Sequence, residues 1–166
     1  MAPGLNRAIR VTRHLRATPG RVFAAWLDAR VARRWLFATA TRPLAQLKID
    51  ARVGGSFRCT DNRGVERAGD YLEIDAPRRL VFTLPLEADR SIVTCVIVEC
   101  IGASRSGCTL ELVHDGVPHE HASAIAGRWH GMLYGLGETL EALRPQRPRG
   151  DPVGSRYPTP AWRSAP

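Results

Sequence analysis

One stripe of side chains limits what this chain can fold into. Between Ile125 and Leu143 the apolar residues are Ile125, Trp129, Met132, Leu133, Leu136, Leu140 and Leu143. At 100° per residue they fall within an arc of about 100°, so a helix over about 120–143 is apolar on one side only. Such a helix is roughly 36 Å long. It needs a broad apolar surface to lie on, and the rest of the sequence must supply one.

The residues before it read as strands. Residues 8–16 alternate around Ile9 and Val11, with Arg13 next in phase. Thr18 then caps a helix that has Pro19 at its first position and Val22, Phe23, Trp26 and Leu27 at helical spacing. Asp28 caps a second short helix, in which Val31, Arg34 and Trp35 follow and which Pro43 breaks. Strand patterns come next at Leu44 to Arg52, Ser56 to Thr60, Val65 to Asp75, Arg79 to Leu84, Ser91 to Ile101 and Cys108 to His114, with turn residues such as Gly54-Gly55 and Asp61-Asn62-Arg63-Gly64 between them. Meandering strands favour an antiparallel sheet, and one sheet cannot hide both faces. The order predicts an α+β fold: a curved antiparallel sheet of about seven strands around a long C-terminal helix, with two short helices after the first strand. The space between helix and sheet is where a ligand cavity belongs. The domain is expected over 1–144. A Pro/Arg-rich tail, 145–166, carries six prolines and no apolar period, and is expected to be disordered or extended unless Tyr157 and Trp162 pin it.

Composition excludes several functions. No run of about 18 apolar residues exists, so no membrane helix is expected. Met1 to Arg10 lacks an apolar stretch, so no secretory signal is expected, and a cytoplasmic location follows. Cys59, Cys95, Cys100 and Cys108 form no CxxC pair and read as small buried hydrophobes. The net charge of +8 comes from 23 arginines and one lysine against 16 acidic residues. The arginines are scattered and carry no aromatic interleaving, so no nucleic acid and no membrane is expected as a partner.

The element order, together with particular residues, resembles the START-like SRPBCC superfamily. Within it the chain is similar to the family named for the C-terminal domain of the activator of heat-shock-protein-90 ATPase. The matching pieces are Thr18-Pro19 with Val22-Phe23-Ala24-Ala25-Trp26, Val31-Ala32-Arg33-Arg34-Trp35, and Val53-Gly54-Gly55-Ser56-Phe57-Arg58. They continue through Gly69 to Ile74, Pro77 to Thr83, Gly107 to His114, and Gly127-Arg128-Trp129 through Leu140. The resemblance implies a helix-grip fold with a cavity. It implies no single activity, because the superfamily includes lipid carriers, cyclases, receptors and co-chaperones.

Trp26, Trp35, Phe57, Tyr71, Phe82, His114, Trp129, Met132, Leu133 and Leu136 are the candidate pocket residues, the alternative being that they simply fill the core. His114, Asp115, His119, Glu120 and His121 offer metal-ligand chemistry. A spacing of two at a helix start points His119 and His121 apart, so no metal and no cofactor is assigned. His114 at the pocket mouth is a candidate hydrogen-bonding or acid/base group. No nucleophile motif occurs. Catalytic residues therefore stay unassigned, with Asp61, Glu66, Asp70, Tyr71 and His114 as the polar groups to examine. The leading reading is binding of a small, mainly apolar molecule. The alternatives are a cyclase, dehydratase or hydrolase in the same cavity and a co-chaperone-like interaction module. Gly127, Gly131 and Gly135, with Gly137 beyond, are a further puzzle, since each costs about 0.5–1 kcal/mol against alanine within a helix. Close approach of a second subunit in a homodimer is one explanation and local bending of the helix the other.

Overall fold

The computed structural model describes residues 6–146. Its elements are β1 (Asn6–Leu15), α1 (Pro19–Leu27), α2 (Ala29–Ala32), β2 (Leu44–Ile49), β3 (Ser56–Asp61), β4 (Glu66–Asp75), β5 (Arg79–Pro85), β6 (Val93–Ala103), β7 (Cys108–Pro118) and α3 (His119–Ala142). From β2 to β7 each strand pairs antiparallel with the next. β1 closes the far side against β7, giving one curved sheet in the order β1-β7-β6-β5-β4-β3-β2. The expected α+β helix-grip architecture is what the chain adopts. The tail lies, from residue 147 on, outside the described residues, and so do Tyr157 and Trp162. No helix among the described residues is long and apolar enough to cross a membrane.

Local chemistry starts each helix. The Thr18 hydroxyl accepts from the Arg21 amide at 3.5 Å, and Asp28 accepts from the Arg30 amide at 2.9 Å. α2 ends at Ala32, earlier than the expected run through Trp35. The Arg34 and Trp35 amides bond three residues back, to Val31 and Ala32, which tightens the chain into turns. Trp35 then swings inward, its indole N–H donating to the Ala25 carbonyl at 3.2 Å. β7 runs past His114 to Pro118 because the start of β1 continues to pair with it, Arg7 opposite Val117 and Asn6 opposite Pro118.

The helix stripe divides as it meets the sheet. Trp129, Leu133, Leu136 and Leu140 are buried, Ile125 and Met132 are only half-buried, and Leu143 is exposed. β1 contributes Ile9, Val11 and Leu15 to the same core, while Arg13 lies in phase but carries its guanidinium to the Tyr134 ring, 5.1 Å from the centroid. Gly69 is required where β4 passes Phe57, because a Cβ there would sit 1.9 Å from the Thr83 carbonyl oxygen and 2.7 Å from the Phe57 ring. Cys59 and Cys108 are buried, and all four cysteines are free thiols. Burial pushes the Cys59 thiol up to about 11, which keeps it protonated and unreactive.

Candidate functional site

Because the Ile125–Met132 edge of α3 stands away from the sheet, a gap opens beside it. The gap is a cleft of about 1040 Å³. One wall is the N-terminal half of α3, with Ile125, Gly127, Gly131 and Met132. The loop from Arg33 to Pro43 forms a second wall, and the β5–β6 connection, Leu84 to Glu87, a third. Trp35, Trp129 and His114 reach it from below. That volume matches pockets that enclose whole small molecules.

Four of the ten expected pocket residues border this space: Trp35, His114, Trp129 and Met132. Trp26, Phe57, Tyr71, Phe82, Leu133 and Leu136 instead belong to the packed core. Phe57, Tyr71 and Phe82 form a ring cluster with centroids 5.5–6.4 Å apart, and Trp26 meets Trp35 edge-on at 4.6 Å. These six hold the cleft's base in place without bordering it.

His114 is the polar centre of that base. It is 1% exposed. The Trp129 indole N–H donates to its Nδ1 at 2.9 Å, so Nδ1 is the bare nitrogen and the ring proton sits on Nε2. Nε2 lies 2.6 Å from the Thr94 hydroxyl, which in turn donates to the Leu84 carbonyl at 2.5 Å. One directional chain thus runs from α3 through β7 and β6 to β5. Burial lowers the His114 pKa from 6.5 to about 4, with Asp115 opposing weakly. A second ring proton would also face the Trp129 N–H, donor to donor. His114 is therefore neutral, and both its nitrogens are committed.

That assignment predicts a pH dependence. The folded-state pKa is depressed, so stability contributed through His114 is fully present above about pH 6.5. It is lost as pH falls toward 4, by about 3 kcal/mol at the end of that window. Urea unfolding of the native protein and of His114→Gln at pH 7.5, 6 and 5 checks this. The native protein should show the steeper decline, and parallel declines would contradict the assignment.

Phe37 was not among the residues the sequence singled out. Its backbone is left-handed, φ 56°, which is sterically costly for a bulky residue. Its ring stacks on Phe57 at 6.0 Å, and its amide donates to the Met132 sulfur at 3.3 Å. The Arg67 guanidinium also lies over the Phe37 ring, 5.8 Å from the centroid. No sequence signal marks a left-handed phenylalanine.

The arginines, scattered along the chain, gather here as well. Arg33, Arg34, Arg42, Arg67 and Arg128 all border the cleft. Asp61 is buried behind them, accepting from Arg42 at 2.8 Å and from the Arg63 and Val65 amides at 2.9 Å each. Burial alone would raise its pKa, but the two amides and the Arg42 guanidinium hold it below the usual carboxylate range. Glu87 bridges Arg67 at 3.1 Å and Arg128 at 2.9 Å. The other polar candidates lie apart: Glu66 pairs with Arg58, Asp70 is exposed, and Tyr71 is buried in the ring cluster. Among the described residues, no three His, Cys, Asp or Glu side chains gather to hold a metal ion.

A curved antiparallel sheet gripping one long helix, with a cleft against that helix, defines a START-like helix-grip domain. The family model described as Activator of Hsp90 ATPase homolog 1-like protein matches residues 16–141, and the chain belongs to that family. No curated protein matches the chain. Among solved structures, an AHSA1-like protein from Aeromonas hydrophila is 22% identical with a TM-score of 0.69, over 82% of this chain and 93% of that one. A protein from Mesorhizobium loti is 16% identical with a TM-score of 0.71, over 83% and 99%. One from Chromobacterium violaceum is 25% identical with a TM-score of 0.67, over 81% and 96%. These likenesses carry the fold.

Proposed function

We propose that the protein binds a small, mainly apolar molecule in the cleft beside α3, as a cytoplasmic binding protein. The observation that carries this reading is that the cleft is preformed over a fixed base. Trp129 and His114 are locked by hydrogen bonds that the chain itself completes, and Phe37 is held in a strained conformation above the Phe57 ring. A preformed apolar surface binds without first having to be ordered.

Membership of this class is consistent with a ligand-binding domain. The enzyme alternative calls for a convergent pair of reactive polar groups in the pocket. His114, the buried histidine at the cleft, has no free ring nitrogen, and this favours binding over chemistry. Displacement of a neutral fluorophore such as Nile red by apolar metabolites tests the reading. Saturable uptake by the native protein, with a rise in melting temperature on adding a competitor, is expected. A fluorophore that never partitions into the protein, at any concentration below its solubility, would sink it.

A further inference from the structure

The cleft's walls carry more positive charge than the chain neutralises. Five guanidiniums border it, and among the described residues Glu87 and the buried Asp61 are the carboxylates that pair with them, leaving three charges over. Arg33 and Arg34 have no carboxylate within 4.0 Å among the described residues, and Arg33 reaches only the Leu44 carbonyl at 3.4 Å. Deeper in, Arg42 Nε and Arg67 Nη1 are shut off from solvent without a hydrogen-bond partner among the described residues, although both residues share Asp61. Buried donors are normally satisfied, so donors left over beside a cavity call for an explanation.

General basicity is not that explanation. Several other arginines are locally neutralised: Arg10 by Glu111, Arg52 by Asp50, Arg58 by Glu66, Arg78 by Asp75, and Arg79 by Glu73 and Glu99, whereas Arg13 on β1 has no carboxylate among the described residues and lies over the Tyr134 ring. A second hollow beside α1 also gathers Arg16, Arg21, Arg105 and Arg144, with Arg21 spent on the Leu140 and Leu143 carbonyls and Arg144 beside Glu141, but no aromatic side chain lines it. The surplus that stands beside aromatic and aliphatic walls is the one at the cleft.

Resting on the binding reading above, we propose that the ligand is an amphipathic anion. Its apolar body lies along Phe37, Ile125 and Met132, the half-buried apolar side chains of the cleft wall. Its oxygen-rich anionic headgroup, carboxylate or phosphate, is held at the rim by Arg33 and Arg34. Guanidinium planes match such oxygens in pairs. Arg33 and Arg34 are exposed, so the charged head stays at the solvent edge while the apolar body enters the cleft.

The test uses three probes with one ten-carbon tail: decanoate, decyl phosphate and 1-decanol, titrated by isothermal calorimetry against the full chain. At least one anion should bind roughly tenfold more tightly than the alcohol, with the advantage shrinking at high salt. Arg33→Gln with Arg34→Gln should bring that anion down to the level of decanol, while Arg33→Lys with Arg34→Lys should keep part of the advantage. Melting temperatures of all variants confirm that they fold. If decanol binds the native protein as well as both anions do, the headgroup assignment is overturned and the apolar cleft survives. If none of the three binds, the binding reading falls with it.

Discussion

Trp129→Ala is expected to destabilise the protein by about 5 kcal/mol, most of what a domain of this size has to spare. Two losses combine. The indole is 1% exposed and packs against Trp26, Phe37 and His114, with centroids 6.0–6.3 Å away, so its removal leaves a large void. The indole N–H also disappears, which leaves His114 Nδ1 as a bare buried acceptor. Trp129→Phe separates the two, since it retains much of the packing and removes only the donor. It should lose about 2 kcal/mol. Guanidinium unfolding of both variants checks the ordering. A Trp129→Phe loss as large as the alanine loss would mean that the hydrogen bond, and not the packing, holds α3 to the sheet. Combining Trp129→Phe with His114→Phe gives the coupling directly, because each then removes the same bond.

That pairing also marks how far the sequence could be read. The helix from His119 to Ala142 and the hairpins before it follow from local periodicity and turn chemistry, and the structure reproduces their order. Which rings border the cleft is not local information. In β4 the pairing register shifts between Tyr71 and Glu73, so alternation along this strand does not say which side chains face inward. Trp35 was a candidate from its spacing and borders the cleft, but its place depends on α2 stopping at Ala32, and a pattern of apolar spacing does not predict that. Phe37 and the surplus of arginines were harder still. Arg33 and Arg34 come from a loop, Arg67 from a strand and Arg128 from α3, and only the folded chain brings them to one rim. Read along the chain, they are scattered and mark no site.

The glycines of α3 turn this gap into an experiment. Gly127 and Gly131 are four residues apart and share a face. Both border the cleft, and a Cβ added at either meets nothing within 4 Å. Gly135 is different, since its Cβ would touch Trp35 at 3.5 Å, and Gly137 lies against Arg13 and Leu15. Among the described residues, therefore, no contact requires glycine at 127 or 131, yet together they cost the helix about 1–2 kcal/mol against alanine. Gly127→Ala with Gly131→Ala should raise stability by that amount. Gly127→Leu with Gly131→Leu should also fold, because the branches have open space to enter, but they would project into the cleft and weaken Nile red uptake at least tenfold. Stability moving up while binding moves down would identify the space itself as what the two glycines supply. The competing explanation, a second copy of the chain packed backbone to backbone on α3, predicts a different signature. There the alanine pair would break a dimer in analytical ultracentrifugation, and stability would become lower and dependent on protein concentration.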